Sequence, residues 1–121
     1  MFAMLAAALL APADAPFLCV CSANAKPVDI EFEGVAVDAA LVALKDGVGV
    51  EPRQATIFRV TRAFKGEAKT PMKVWHLTNP QRCGVKFNYA ASYRVKARVK
   101  NGAVETDACL MPELKSAPAT E

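Results

Sequence analysis

Four cysteines carry most of the reactive chemistry in this 121-residue chain, and two of them, Cys19 and Cys21, stand one residue apart in the stretch Phe17-Leu18-Cys19-Val20-Cys21-Ser22. Cys83 and Cys109 lie far downstream. Such a set has three chemical outlets: metal ligation, redox exchange, or disulfide bonding. A zinc site wants closely paired ligands, and one C-x-C with two scattered cysteines and a single histidine, His76, lacks that spacing. A C-x-C redox couple is weaker still. An even number of cysteines in an exported chain makes a disulfide framework the default. A bond between Cys19 and Cys21 would close a very small strained ring, so each is expected to reach Cys83 or Cys109, and two pairings stay open. Either closes loops of more than sixty residues. In the chain-entropy model each such loop constrains the unfolded state by roughly 4 kcal/mol.

Catalysis finds no comparable support. His76 has no Ser, Cys or acidic partner in a catalytic spacing, so it is expected to be a half-buried or surface histidine and not a general base. No phosphate-binding loop or metal set appears either, so neither an enzyme nor a cofactor is expected.

What exports the chain is read from its first residues. Met1 to Ala11 form an uninterrupted apolar run, too short to span a bilayer before Pro12, Asp14 and Pro16 break it, and of the length of a signal-peptide core. Residues 1–15 are therefore expected to be a signal peptide, although the run lacks a basic flank. Two small-x-small patterns put the mature start at Asp14 or Pro16. A third, Ala23-Asn24-Ala25, ranks last because it would remove both early cysteines. The destination is the exterior or the periplasm and cell envelope, with no transmembrane segment after cleavage.

Residues 16–115 suffice for one domain with one core. The formal charge of +3, from 15 basic and 12 acidic residues, is too mild to require nucleic acid or an anionic membrane as partner.

Alternation locates the strands. Val28, Ile30 and Phe32 are apolar at even positions, Gly34 intervenes, and Val35 and Val37 follow at odd ones, the parity flip expected of a bulge at the glycine. Ala36 to Leu44 continue a strand or turn into a short helix, and Lys45-Asp46-Gly47 offers a turn. A second strand places Phe58, Val60 and Phe64 on one face and ends at Lys65-Gly66. In a third, either Met72, Val74 and His76 or Lys73, Trp75 and Leu77 face inward. Tyr93, Val95, Ala97 and Val99 alternate with Arg94, Lys96, Arg98 and Lys100, and Asn101-Gly102 then supplies the dipeptide of a two-residue type I′ hairpin. That turn sets Lys100 against Ala103, Arg98 against Glu105 and Lys96 against Asp107. The basic stripe is thereby largely neutralised, and with it the case for a nucleic-acid track. By the same parity Cys109 points outward, where a disulfide would pin an N-terminal segment to the outside of the sheet. Five or six strands with little room for a long helix suggest a small closed or partly closed barrel. Residues 116–121 read as a disordered tail.

The order of these pieces resembles a known family. C-x-C at Cys19 and Cys21, a first strand running into Phe32-Glu33-Gly34-Val35, the stretch from Phe58 to Gly66, Cys83-Gly84 with Phe87 and Tyr93, and Cys109 beyond a hairpin are similar to the netrin-like domain. The nearest likeness is to its tissue inhibitor of metalloproteinases branch and bacterial relatives. The resemblance spans roughly Cys19 to Leu114. It implies a five-stranded barrel of the oligonucleotide/oligosaccharide-binding (OB) type and selects the pairing Cys19 with Cys83 and Cys21 with Cys109. The chain departs from the family at Ala90, where glycine is usual, at Arg94, where an apolar residue is usual, and after Cys109, where Gly-Thr is missing. It also ends before a second, cysteine-rich subdomain could start.

Two functions follow from the resemblance. One is a secreted netrin-like module, a monomer that binds a protein. The alternative is an inhibitor of a zinc endopeptidase, in which the α-amino group and carbonyl of Cys19 would chelate the protease's zinc while Cys19, Val20, Cys21 and Ser22 fill its cleft. Inhibition demands a free amine on Cys19, which neither favoured cleavage site provides. An OB-type binder of nucleic acid or glycan ranks behind both.

Overall fold

In the computed structural model of the chain, residues 19–22 and 27–117 are described. The segment expected to be a signal peptide, its expected cleavage sites and residues 118–121 of the expected tail lie outside them. Six strands follow in chain order: β1 (Ile30–Ala43), β2 (Val50–Lys65), β3 (Met72–Leu77), β4 (Ser92–Lys100), β5 (Ala103–Glu105) and β6 (Glu113–Ser116). Two single-turn 3-10 helices, Pro80–Arg82 and Ala108–Leu110, complete the elements. The first five strands form a ring, β1-β2-β3-β5-β4 and back to β1, and β6 is added to β4. Neighbours are antiparallel except β3 and β5, which meet in parallel at one bridge, Trp75 with Glu105. This is the small, partly closed barrel expected from the strand pattern, with five strands in its ring.

The weak seam between β3 and β5 is reinforced by other groups. Thr106 N–H donates to the Trp75 carbonyl at 2.9 Å, and the Thr106 hydroxyl donates to the Lys96 carbonyl at 2.7 Å. Across the outside, Arg53 of β2 reaches Glu105 at 2.9 Å while its guanidinium lies 4.4 Å above the Trp75 ring. That ion pair is partly exposed and contributes about 1 kcal/mol or less.

Inward positions alternate along each strand and meet in one core. Ile30, Phe32 and Ala36 of β1, Phe58 of β2, Met72 and Val74 of β3, and Tyr93, Val95 and Ala97 of β4 are all buried. Phe58 sits among three rings in edge-to-face contact, Phe32 at 5.4 Å, Phe87 at 5.0 Å and Tyr93 at 6.5 Å. Pairs of this geometry add roughly 0.5–1.5 kcal/mol each beyond the area they bury. The Tyr93 hydroxyl accepts from Asn88 N–H at 2.7 Å, which ties the 84–91 connection over one end of the barrel.

Bulges occur, but not where the alternation placed them. Burial in β1 keeps its even parity through Ala36, so no flip occurs at Gly34. Opposite Gly34 the extra residue belongs to β2: Glu33 pairs with Arg62 and Gly34 with Val60, leaving Thr61 unpaired. The bulge in β1 itself is Val37, between Ala36 and Asp38. A second irregularity in β2, at Phe64, moves that residue off the inward face of Phe58 and Val60. Phe64 instead lies beneath the outward Arg94, 3.7 Å from its guanidinium, with Arg62 at 4.9 Å. At Gly34 a Cβ would sit 3.0 Å from the Arg59 carbonyl oxygen, so the β2 backbone would have to give by a few tenths of an ångström to admit one.

The Asn101-Gly102 hairpin takes the expected register, with Arg98 opposite Glu105 and Lys100 opposite Ala103. Both turn residues have positive φ, 53° and 81°, as a type I′ turn requires. Of the two charge pairs deduced from the register, Arg98 opposite Glu105 holds and Lys96 opposite Asp107 is corrected. β5 stops at Glu105, so Lys96 meets no Asp107 across a ladder; Asp107 caps the turn that follows. Glu105 also receives Arg53 from β2. The acids facing the basic stripe come largely from β1, where Glu33 pairs in register with Arg94 and Glu31 with Lys96, and the Glu31 carboxylate bonds Arg94 Nε at 2.6 Å.

Residues 36–43 continue as strand, which settles the choice between strand and helix. Beyond Val35, β1 leaves β4 and stays with β2, which pairs on its other side with β3 from Arg53 to Phe58; past β3 the two run on as a short hairpin arm. Its turn is closed by Gly47 N–H to the Leu44 carbonyl and by Val48 N–H to Asp46 Oδ1. Leu41, Val42, Leu44, Val48 and Val50 are exposed along it. At the other end of the chain, β6 pairs with β4 and reaches Ser116. Among the described residues no helix is long and apolar enough to cross a membrane.

Candidate functional site

Two tight turns at one end of the barrel hold the downstream cysteines. Asn79 opens the first: its Oδ1 accepts from Gln81 N–H at 2.9 Å, and Pro80 starts the helical turn with φ already suited to it. Cys83 closes the turn at φ 61°, donating its N–H to the Pro80 carbonyl. Gly84 N–H then returns to the Asn79 carbonyl at 2.8 Å. The backbone passes so closely here that a Cβ at position 84 would fall 2.4 Å from Asn79 N, which is the physical reason for glycine after this cysteine. Asp107 opens the second turn, its Oδ1 accepting from Cys109 N–H at 2.8 Å. Ala108 N–H donates to the Cys83 carbonyl at 2.9 Å, so the two turns lie side by side.

The N-terminal segment is fastened to this pair of turns. Cys19 is bonded to Cys83 and Cys21 to Cys109, the pairing that the netrin-like resemblance implied, and no cysteine is free. Between the anchors Val20 projects outward, 84% exposed, and Cys21 and Ser22 are exposed as well. Cys19, Cys83 and Cys109 bring their sulfurs within 4.8 Å of one another, yet all are consumed in disulfides and offer no thiolate to a metal. A groove of about 770 Å³ runs between the segment and the β4–β5 hairpin, with Val20, Cys21, Asp29, Arg98, Asp107 and Leu110 on its walls. Apolar side chains and charges of both signs line it.

His76 is more deeply placed than expected. It lies inside the barrel with Met72 and Val74, 3% exposed, which resolves the facing of β3 and corrects the half-buried or surface reading. Its Nδ1 faces the Leu77 carbonyl at 2.9 Å and so carries the proton, which leaves Nε2 to accept from the Thr56 hydroxyl at 2.7 Å. Phe87 packs edge-on at 5.2 Å. Burial lowers the His76 pKa, partly offset by hydrogen bonding to the backbone of Leu77 and Val85. Both ring nitrogens are engaged internally, so the imidazole supports the connection that carries Cys83 and offers no lone pair to a substrate. The strand pattern could not reveal this, because both faces of β3 contain two apolar residues and one other.

The structure thus brings Cys19, Val20, Cys21 and Ser22 together with Cys83 and Cys109 at one end of the barrel. Sequence reasoning missed the turns that make this possible. Their signal was present in Asn79-Pro80 and in Asp107, a cap followed by a proline and a cap two residues before a cysteine. No protein-family model matches the chain, and no curated protein matches it either.

Proposed function

We propose that the chain is a netrin-like binding module acting outside the cytoplasm, and that its contact surface for a protein partner is the stapled segment Cys19–Ser22. The reading is carried by Val20, an apolar side chain 84% exposed between two half-cystines that are each bonded to a different turn. A segment immobilised beforehand loses little conformational entropy on binding, so an exposed anchor on it is an efficient contact. Two disulfides agree with an oxidising compartment. A photo-crosslinking residue at Val20, compared with one at Lys115 on β6, tests the site in the compartment that contains the protein. A discrete adduct from position 20 and none from 115 is expected. No adduct from either, or the same adducts from both, would sink the assignment of the surface.

Zinc-endopeptidase inhibition is the narrower form of this reading, favoured by the presentation of Cys19–Ser22 clear of the sheet at a barrel end. Chelation would run through the Cys19 amine, since an acylated nitrogen has no lone pair to give. Oxidised forms beginning at Cys19 and at Pro16 are to be titrated against a panel of zinc endopeptidases. Inhibition by the trimmed form alone, abolished by acetylating its amine, is the expected signature. Equal inhibition by both forms, or by neither, removes the chelation mechanism.

A further inference from the structure

We infer that the two disulfides form a single thiol–disulfide exchange site, at which one two-electron reduction by a small thiol releases both staples and leaves a new bond between Cys83 and Cys109. The observation is a contact between sulfurs of different disulfides: Cys83 Sγ lies 3.8 Å from Cys109 Sγ. The hydrogen bond from Ala108 N–H to the Cys83 carbonyl at 2.9 Å holds the two backbones side by side beneath this contact. Nothing in this depends on what the N-terminal segment contacts.

Exposure directs the first step. Cys21 is exposed, whereas Cys19, Cys83 and Cys109 are half-buried, and exchange proceeds where a thiolate can reach a sulfur. The external thiolate attacks Cys21 Sγ. The Cys21–Cys109 bond breaks with its electron pair on Cys109, and a mixed disulfide forms at Cys21. The Cys109 thiolate is then in contact with Cys83 Sγ and attacks it. The Cys83–Cys109 bond forms, the Cys19–Cys83 bond breaks, and Cys19 leaves as a thiolate that takes a proton from water. With a dithiol, the second thiol attacks the mixed disulfide, frees Cys21 and closes the reagent into a cyclic disulfide. In sum, one dithiol is oxidised and the protein gains two electrons and two protons. Attack at Cys19 leads to the same product, because the Cys83 thiolate it releases faces Cys109.

The consequence is an all-or-none clasp. Independent disulfides would lose one staple per dithiol and keep the segment tethered by the other. Coupled ones lose both, and the barrel end stays closed by a bond between its own two turns.

Partial reduction tests this on the oxidised protein. It is treated with substoichiometric dithiothreitol, quenched with acid, alkylated and mapped by peptide mass spectrometry. The expected one-disulfide species carries Cys83–Cys109 with alkylated Cys19 and Cys21, and exceeds the species that retain either native bond by several-fold. Dominance of a retained Cys19–Cys83 or Cys21–Cys109 bond overturns the proposal, as does passage straight to four free thiols. A variant with Cys21→Ser and Cys109→Ser supplies a rate. Its lone Cys19–Cys83 bond has no neighbouring thiolate, and Cys19 should become alkylatable several-fold more slowly than in the parent; an equal rate would refute the relay.

Discussion

Replacing Gly84 with alanine tests whether the Cys83 turn is as tightly built as its contacts indicate. The added methyl would lie 2.4 Å from Asn79 N, 2.5 Å from Thr78 C and 2.7 Å from Asn79 O, all backbone atoms that no side-chain rotation can move. Ordinary contact begins near 3.4 Å, so the 78–79 and 84–85 backbones must part by roughly 1 Å, a strain of the overpacking kind that costs about 1–3 kcal/mol. Parting them weakens the bonds from Gly84 N–H to Asn79 O and from Val85 N–H to Leu77 O, each worth about 1 kcal/mol. Restricting the unfolded chain returns about 0.4–1 kcal/mol. The net expectation is a loss of about 2–4 kcal/mol, a large part of the 5–15 kcal/mol typical of a domain. Guanidinium unfolding of the oxidised protein, followed by the fluorescence of Trp75, the single tryptophan, measures it. Gly47→Ala is the control: at φ 79° with nothing within 4 Å, it pays only the backbone penalty, about 1 kcal/mol. Equal midpoints for the two variants would refute the reasoning.

Three further outcomes are expected. Ala90 sits at φ 67°, where an L residue is strained by about 1–2 kcal/mol and glycine is penalised only by its unfolded-state entropy of about 0.5–1 kcal/mol, so Ala90→Gly should raise the unfolding midpoint by an amount worth about 0.5–1 kcal/mol. Changing Asn101-Gly102 to Ala-Ala removes the residues that accept positive φ and should cost about 1–3 kcal/mol; an unchanged midpoint would contradict the hairpin. His76 is the only histidine, and burial lowers its folded-state pKa, so below pH 6.5 the unfolded chain binds a proton that the folded chain refuses. Stability should therefore be full above pH 6.5 and decline as pH falls from there toward the lowered value. His76→Gln should flatten that slope, which denaturation midpoints between pH 7.5 and 5 will show.

What the sequence made legible was local. The type I′ dipeptide fixed the β4–β5 register because two positive φ values in succession admit few residues, and the even alternation of Ile30 and Phe32 located the core face. Bulges escaped because Thr61, Phe64 and Val37 carry no mark of the unpaired state; a bulge is decided by the partner strand. Phe64 was misplaced for a related reason: a ring covered by Arg94 on an outer face has the same hydrophobicity as a ring in a core. β6 left no pattern, since Glu113 to Ser116 are exposed throughout and have no buried side to alternate with. Cys19 and Cys21 could be singled out from spacing, and Val20 and Ser22 through the resemblance alone, but the contact between Cys83 and Cys109 depends on two turns 26 residues apart in the chain meeting in space.

The crossing of the two disulfides also governs what a protease can do to this molecule. With bonds from 19 to 83 and from 21 to 109, one cut anywhere between Cys19 and Cys109 leaves the fragments joined, and a cut between Cys21 and Cys83 leaves them joined twice. The exposed turn at Lys45-Asp46-Gly47 falls in the doubly protected interval and projects beyond the ring of strands. Cleavage there would yield a nicked but undivided protein, of unchanged mobility on a non-reducing gel and two bands after reduction. Peptide-bond scission at the arm and loss of the folded module are in this way separate events.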